Sequence, residues 1–336
     1  MNKNIYNSKS ILVTGGSGSI GSGIVKFLIK KNCKVIRVLS NDENGIYELS
    51  EQINSLNQKL QNKMQNNKIR YLIGDIRDYK RCVLATKNID IVIHAAALKH
   101  VPICEYNKDE AYKTNVIGTK FLIKASIKNK VKKFLFISTD KAAEPTSIMG
   151  KSKLAAEKLV IQASKKKTKT KFSVIRFGNI LFSRGSVIFK FIEQIKSRQK
   201  ITVTSVSVSR FFISINNAVK RISESLMLMD GGEIFIVMKM KSFKIIDLAK
   251  AIRSIYKKNN PIKVTGLREG EKMYEKLVSS KENVQKLKQT KNLGVISTNN
   301  RKNDTNTTEG IDSRFSQHLN KVEIIKILHN ENILKK

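Results

Sequence analysis

The sequence predicts an α/β protein, a doubly wound parallel sheet with a smaller C-terminal substrate-binding lobe. Two observations carry this. Short β-branched or aromatic runs alternate with amphipathic helical stretches from residue 11 to residue 176, and a glycine cluster stands between the first run and the first helix. Strands that alternate with helices imply right-handed crossovers and a parallel sheet covered on both faces.

Each element rests on its own signal. Residues 11–14 form a continuous apolar run, and residues 19–31 then carry the 3.6-residue periodicity of a helix. Residues 35–39 read as a second strand and 45–64 as a polar helix. Residues 69–73, 89–94 and 133–137 are further short strands, with helical periodicity over 105–129 between the last two. Beyond 172–176 the spacing loosens into helices at 186–198, 216–229 and 242–257, with short strands at 201–204, 233–237 and 262–264. The expected division is a nucleotide-binding domain at 1–178, a lobe at 179–285 interleaved with it, and a polar tail at 286–336. In that tail 298–306 reads as a mobile loop and 322–334 as a docking helix.

Composition narrows the class. The 336 residues can bury a large core, and no apolar run reaches the length of a membrane span. Residues 1–10 are polar, unlike a secretion signal, so a cytoplasmic location is expected. Cys33, Cys82 and Cys104 are far apart and odd in number, which suits reduced thiols rather than a disulfide framework, and no metal site is expected. The net charge of +37 invites a nucleic-acid reading, yet the lysines are spread along the whole chain and no aromatics interleave with their densest runs. Specific nucleic-acid binding is therefore not expected, although the charge favours an anionic ligand.

The chemistry-bearing motifs fall at strand ends. Gly15, Ser17, Gly18, Ser19, Ile20 and Gly21 follow the first strand and open the first helix. This is the context in which glycines let a pyrophosphate approach backbone N–H groups. Ser40, Asn41, Asp75, Ile76 and Ala95–Ala97 end the next strands and are expected to edge the adenosine and the cofactor backbone. Leu39, where a ribose carboxylate would mark an NAD binder, leans the expectation toward NADP, with NAD possible. Thr139, Asp140 and Lys141 follow a buried strand, opposite the glycine turn, and Lys153 lies on the next helix. A hydroxyl, an acid and two amines at one strand end suggest proton handling beside a cofactor.

With these residues in view, the chain resembles the extended short-chain dehydrogenase/reductases, and within them the inverting UDP-N-acetylglucosamine 4,6-dehydratases of the polysaccharide-biosynthesis type. The resemblance runs over residues 11–279 and is dense at TGGSGSIG, HAAALKHVPICEYN, FISTDKA, RFGNILFSRGSV and GLREGEKMYEKL. It implies a Rossmann domain with a lobe closing on a UDP-sugar. The implied reaction is NADP-mediated oxidation at C4, loss of water across C5–C6 and return of the hydride to C6.

The resemblance assigns Asp140 as acid to the C6 hydroxyl, Lys141 as base at C5, Thr139 as partner of the C4 hydroxyl and Lys153 to the nicotinamide ribose. A lysine base would need its pKa brought down by burial or a neighbouring cation. Lys99 and Asn115 are expected near the cofactor, and Lys99, His100, Asn179, Arg184, Arg210, Arg268 and Glu271 toward the substrate. Closed homo-oligomers are implied by the same analogy.

Two departures stand out. Met149 replaces the tyrosine of Y-x-x-x-K, and Asn41 replaces an arginine commonly offered to the NADP 2′-phosphate. They leave open a UDP-hexose or UDP-HexNAc 4-epimerase, or a cofactor-bound or RNA-associated protein without catalysis.

Overall fold

The structure, a computed structural model, describes residues 5–59, 68–297 and 311–330. Strands β1 (Ser10–Thr14), β2 (Val35–Ser40), β3 (Ile69–Ile73), β4 (Ile91–His94), β5 (Lys133–Ile137) and β6 (Lys171–Arg176) form the order 3-2-1-4-5-6. All of their pairings are parallel. That order reverses direction between β1 and β4, so a crevice opens at the strands' carboxyl ends between them. Every residue of β1 and of β4 is buried, as a sheet covered on both faces requires.

Helices α1 (Ser19–Ile29), α2 (Glu43–Lys59) and α3 (Tyr79–Thr86) make the first crossovers. The single helix expected at 105–129 is a broken series: α4 (Val101–Tyr106), α5 (Lys108–Tyr112), a π-helical turn (Lys113–Gly118) and α6 (Thr119–Lys128). The π turn places Asn115 inward, where it accepts from Leu98 N at 2.8 Å and donates to Leu98 O and Ser152 Oγ. Asn115 thereby ties the loop after β4 to α7 (Ile148–Ser164) and does not line the cleft, contrary to its expected place beside the cofactor.

After β6 the chain forms β7 (Asn179–Ile180), α8 (Val187–Lys196), β8 (Ile201–Val203), β9 (Ser209–Ile213), α9 (Ile215–Leu228), β10 (Ile234–Val237), β11 (Ser242–Lys244), α10 (Ile245–Ile255) and β12 (Ile262–Val264), of which α9 and β10 pack into the main core and most of the others build a second lobe. β10 returns to the central sheet beside β6. The lobe has its own apolar cluster, built on Phe191, Ile195, Phe212, Phe243, Leu248 and Ile252.

Sequence patterning missed β7, β9, β11 and two strands beyond residue 281: β13 (Asn283–Lys286) and β14 (Leu293–Ser297). β14 pairs antiparallel with β10, and β13 antiparallel with β14, so the sheet has nine strands among the described residues. The expected boundary at 286 thus falls inside β13, and α11 (Lys321–Asn330) packs on the lobe through Ile324 and Leu328. The polar composition of β13 hid it, because an edge strand needs few apolar residues, and the apolar run of β14 was overlooked in its Lys- and Asn-rich surroundings. The proposed mobile loop at 298–306, and residues 331–334 of the docking helix, lie outside the described residues.

A buried ion cluster joins the core to the C-terminal segment. Arg176 donates to both oxygens of Glu157 and both of Glu282, and also to Leu277 O. Burial opposes the guanidinium charge, but the two carboxylates outweigh it and hold the Arg176 pKa above its ordinary value.

Candidate active site

A cleft of about 920 Å³ runs along the sheet's carboxyl edge, from the glycine turn to the second lobe. At its nucleotide end Gly15 adopts φ +62°, and a Cβ there would come within 2.7 Å of Ala96 backbone. A Cβ on Gly21 would collide with Gly15 O, so glycine at both places keeps β1, α1 and the loop after β4 in contact. His94, fully buried beneath this turn, bridges Thr14 Oγ1 at 2.7 Å and Thr119 Oγ1 at 2.9 Å. Burial, assisted by the charge of Lys153, pushes its pKa down to about 3.

The part of the cleft beyond β2 and β3 is acidic as well as basic. Ser17 and Ser40 share a hydrogen bond at 2.8 Å, and Asp42 caps Gly45 N at 2.9 Å. Asp75 is engaged by Arg77 Nε at 2.8 Å and also by the Asn41 side chain. Burial raises the Asp75 carboxyl, but Arg77 and Asn41 more than offset it.

Arg184 comes down over this half of the cleft from the second lobe. Its N–H donates to Ser19 Oγ at 2.8 Å, and its guanidinium pairs with Asp42 and Glu48. Lys99 Nζ donates to Arg184 O at 2.6 Å. The guanidinium expected on a substrate diphosphate is therefore committed to the cofactor side. Gly185, at φ +72°, lies against His100: a Cβ there would stand 2.5 Å from the imidazole.

Thr139, Asp140 and Lys141 form the chemical end. Thr139 caps the single 3₁₀ turn Asp140–Ala142. Thr139 Oγ1 donates to Asp140 Oδ1 at 2.8 Å, and Lys141 Nζ donates to the same oxygen at 3.0 Å and to Asn179 Oδ1 at 2.9 Å. Thr139 and Lys141 line the cleft, whereas Asp140 is fully buried behind them, its Oδ2 without a partner. The expected direct contact of Asp140 with a substrate hydroxyl is not the arrangement found. Asp140 communicates with the cleft through Thr139 and Lys141.

The electrostatics of Lys141 are the reverse of what a base requires. Burial would lower Lys141, yet the carboxylates of Asp140 and Glu275 outweigh it and raise its pKa. Burial lowers Lys153 to about 7, only partly opposed by Glu157. Lys153 Nζ donates to Ile137 O at 2.6 Å and stands 4.0 Å from the Phe136 ring centroid. Met149 is buried against Cys104 and Ala111 while still bordering the cleft.

On the lobe side, Arg210 spends its donors on Ser209 O, Met273 O, Lys272 O and Glu271 Oε1, so it shapes the 271–275 loop. Glu271 also accepts from Thr204 Oγ1. Arg268 is exposed and lines the cleft, leaving a cation at its mouth. Among the charged lining residues not singled out from sequence are Lys272, whose Nζ donates to Ala143 O at 3.1 Å, and Glu275. Both lie within the GLREGEKMYEKL run, where only the arginine and first lobe carboxylate drew notice.

Comparison with known proteins agrees with this architecture. The chain matches the family described as polysaccharide biosynthesis protein over residues 11–297. It belongs to that family. It is 45% identical over 334 residues to an uncharacterized membrane protein of Methanocaldococcus jannaschii, covering 97% of this chain and 96% of that one. It is 41% identical to the inverting UDP-N-acetylglucosamine 4,6-dehydratase of Campylobacter jejuni, covering 82% and 79% of the two chains. It is 40% identical to the UDP-glucose 4-epimerase of Rickettsia bellii, covering 83% and 80%. Among solved structures it superposes on Pen from Bacillus thuringiensis with a TM-score of 0.87 at 38% identity, covering 97% and 98%. Among the described residues no helix is long and apolar enough to cross a membrane.

Proposed function

We propose that this family member is a UDP-N-acetylglucosamine 4,6-dehydratase of the C5-inverting kind, working with NADP. One observation carries the reading: an amine, Lys141, lines the cleft with a hydroxyl, Thr139, and both bond one oxygen of a buried carboxylate. An epimerase needs proton handling only at C4. A dehydratase needs a second acid/base pair for C5 and C6, which Lys141 and Asp140 supply.

The residues present fit a nicotinamide dinucleotide. The glycine turn has no room for side chains at Gly15 and Gly21, and the start of α1 offers N–H groups to a pyrophosphate. Ser40, Asn41, Asp75 and Ile76 would border the adenosine, and Lys153 the nicotinamide ribose. When bound, the nicotinamide supplies a hydride acceptor at C4 and a donor at C6.

Thr139 Oγ1, aligned on Asp140 Oδ1, takes the C4 hydroxyl proton while passing its own to the carboxylate. This relay replaces the tyrosine that Met149 displaces. It also leaves Asp140 protonated, able to return that proton through Thr139 to the oxygen leaving C6. Neutralising Asp140 removes one of the two negative charges that keep Lys141 an ammonium. Lys141 then serves as base at C5, where the C4 ketone has made the proton acidic. Arg268, at the mouth, suits the diphosphate because a planar guanidinium binds two oxygens together.

A second reading, a UDP-sugar 4-epimerase, is favoured by the Rickettsia relative. Incubation with UDP-N-acetylglucosamine and NADP followed by mass spectrometry separates the two. Loss of one water is expected, and an isobaric product would replace the dehydratase reading with the epimerase.

A further inference from the structure

Lys141 has a second carboxylate against it, from the other lobe. Glu275 Oε1 stands 3.4 Å from Lys141 Nζ, and Glu275 is 3% exposed. Among the described residues its Oε2 has no hydrogen-bond partner, so one oxygen of this buried acid is left over by the surrounding network. Its nearest cation besides Lys141 is Arg210, whose Nε is 4.0 Å away. Arg210 is itself occupied by backbone carbonyls and Glu271.

The backbone of Glu275 is clamped from both sides. Its N–H donates to Ser313 Oγ and its carbonyl accepts from Ser313 N, both at 2.9 Å. Two residues on, Leu277 O is held by Arg176, and Leu277 N donates to Ile311 O. A surface loop without a task at this carboxylate would not need three separate anchors within three residues.

We propose that Glu275 is the proton partner of Lys141: it positions the amine and takes its proton when the C5 hydrogen must be removed. This rests on the dehydratase reading. The step balances as follows. One Nζ–H bond of the ammonium breaks and an Oε1–H bond forms on Glu275, leaving a neutral amine. The amine lone pair takes the C5 proton, and the C5–H electrons form the C5–C6 double bond. The C6–O bond breaks, its electrons leave with oxygen, and the proton stored on Asp140 completes a water molecule. Inversion then requires C5 to be reprotonated on its opposite face, here by water. The hydroxide so formed takes the proton held on Glu275, which leaves Lys141 an ammonium and Glu275 a carboxylate, as at the start. The charged groups facing this pair are Asp140, Arg210 and Lys272, whose own pKa is lowered first by burial.

The test compares wild type, Glu275→Gln and Glu275→Asp with UDP-N-acetylglucosamine and NADP between pH 6 and 10. Glutamine keeps the shape and cannot take a proton. Dehydration by Glu275→Gln is expected to fall about 100-fold at neutral pH. It should then climb with pH as hydroxide replaces the missing acceptor. KM and the single-turnover rise of reduced cofactor at C4 should stay near wild type, and Glu275→Asp should recover most of the rate. A purely structural role predicts equal losses in oxidation and dehydration at every pH. That result, or wild-type dehydration in Glu275→Gln, overturns the proposal. Should Glu275→Gln not fold, Glu275→Ala carries the test, and a wild-type rate and pH profile in it overturns the proposal. Failure of the wild-type enzyme to release water from the sugar nucleotide would refute the dehydratase reading instead, and is visible before any variant is compared.

Discussion

Thr139 stands between Asp140 and the cleft, its hydroxyl donating to Asp140 Oδ1 at 2.8 Å while the carboxylate is fully buried. The acid of this site therefore reaches its substrate only through a neighbour. Thr139→Val keeps the β-branched shape and removes the hydroxyl. Single-turnover formation of reduced cofactor should slow by about 10²–10⁴-fold. Thr139→Ser should restore most of it, and a wild-type rate in the valine variant would remove the relay.

Lys141 bonds Asp140, Asn179 and Glu275 at once. Lys141→Ala should abolish dehydration while leaving UDP-sugar affinity within a few-fold of wild type. It also strands two buried carboxylates, so stability should fall by about 3–5 kcal/mol, read from urea unfolding. An unchanged unfolding midpoint would mean that water reaches both acids.

Asn41 is turned toward Asp75, and Asp42 is paired with Arg184. Asparagine thus stands where the family resemblance implies an arginine for a 2′-phosphate. Asn41→Arg should tighten NADP over NAD by about tenfold, the worth of one charge-assisted contact. Equilibrium titration of both cofactors measures the ratio, and an unchanged ratio would place the 2′-position elsewhere.

His94 has a pKa of about 3 in the folded protein against 6.5 for a free imidazole. Unfolding therefore takes up a proton anywhere between those values. The stability from this group is whole above pH 6.5 and is lost as the pH falls toward 3, at up to about 1.4 kcal/mol per unit. His94→Gln should flatten the fall measured by urea unfolding between pH 6.5 and 5. An equally steep fall in the variant would assign the loss to carboxylates.

The nucleotide end was legible because its signals are local. Gly15, Gly18 and Gly21 are needed by a single turn, and β1, β4, β5 and β6 are short, near-continuous apolar runs, as burial on both faces requires. Met149 and Asn41 likewise announced their departures by residue type alone. The C-terminal edge strand β13 carried no such mark, since pairing at a sheet edge is made by backbone groups. Glu275 was illegible for a related reason. A glutamate in a charged, lysine-rich run looks solvated until the fold shows that it is buried.

By itself, then, the order of residues determined the doubly wound sheet, the glycine cradle and the presence of a hydroxyl, an acid and an amine at one strand end. Only the tertiary structure decided that Asp140 withdraws behind Thr139, that Arg184 is spent on Asp42 and Glu48, and that Glu275 arrives from the other lobe to meet Lys141. Periodicity and turn chemistry act over a few residues and are written locally. Burial and charge pairing across 134 residues depend on which surfaces the packed lobes bring together.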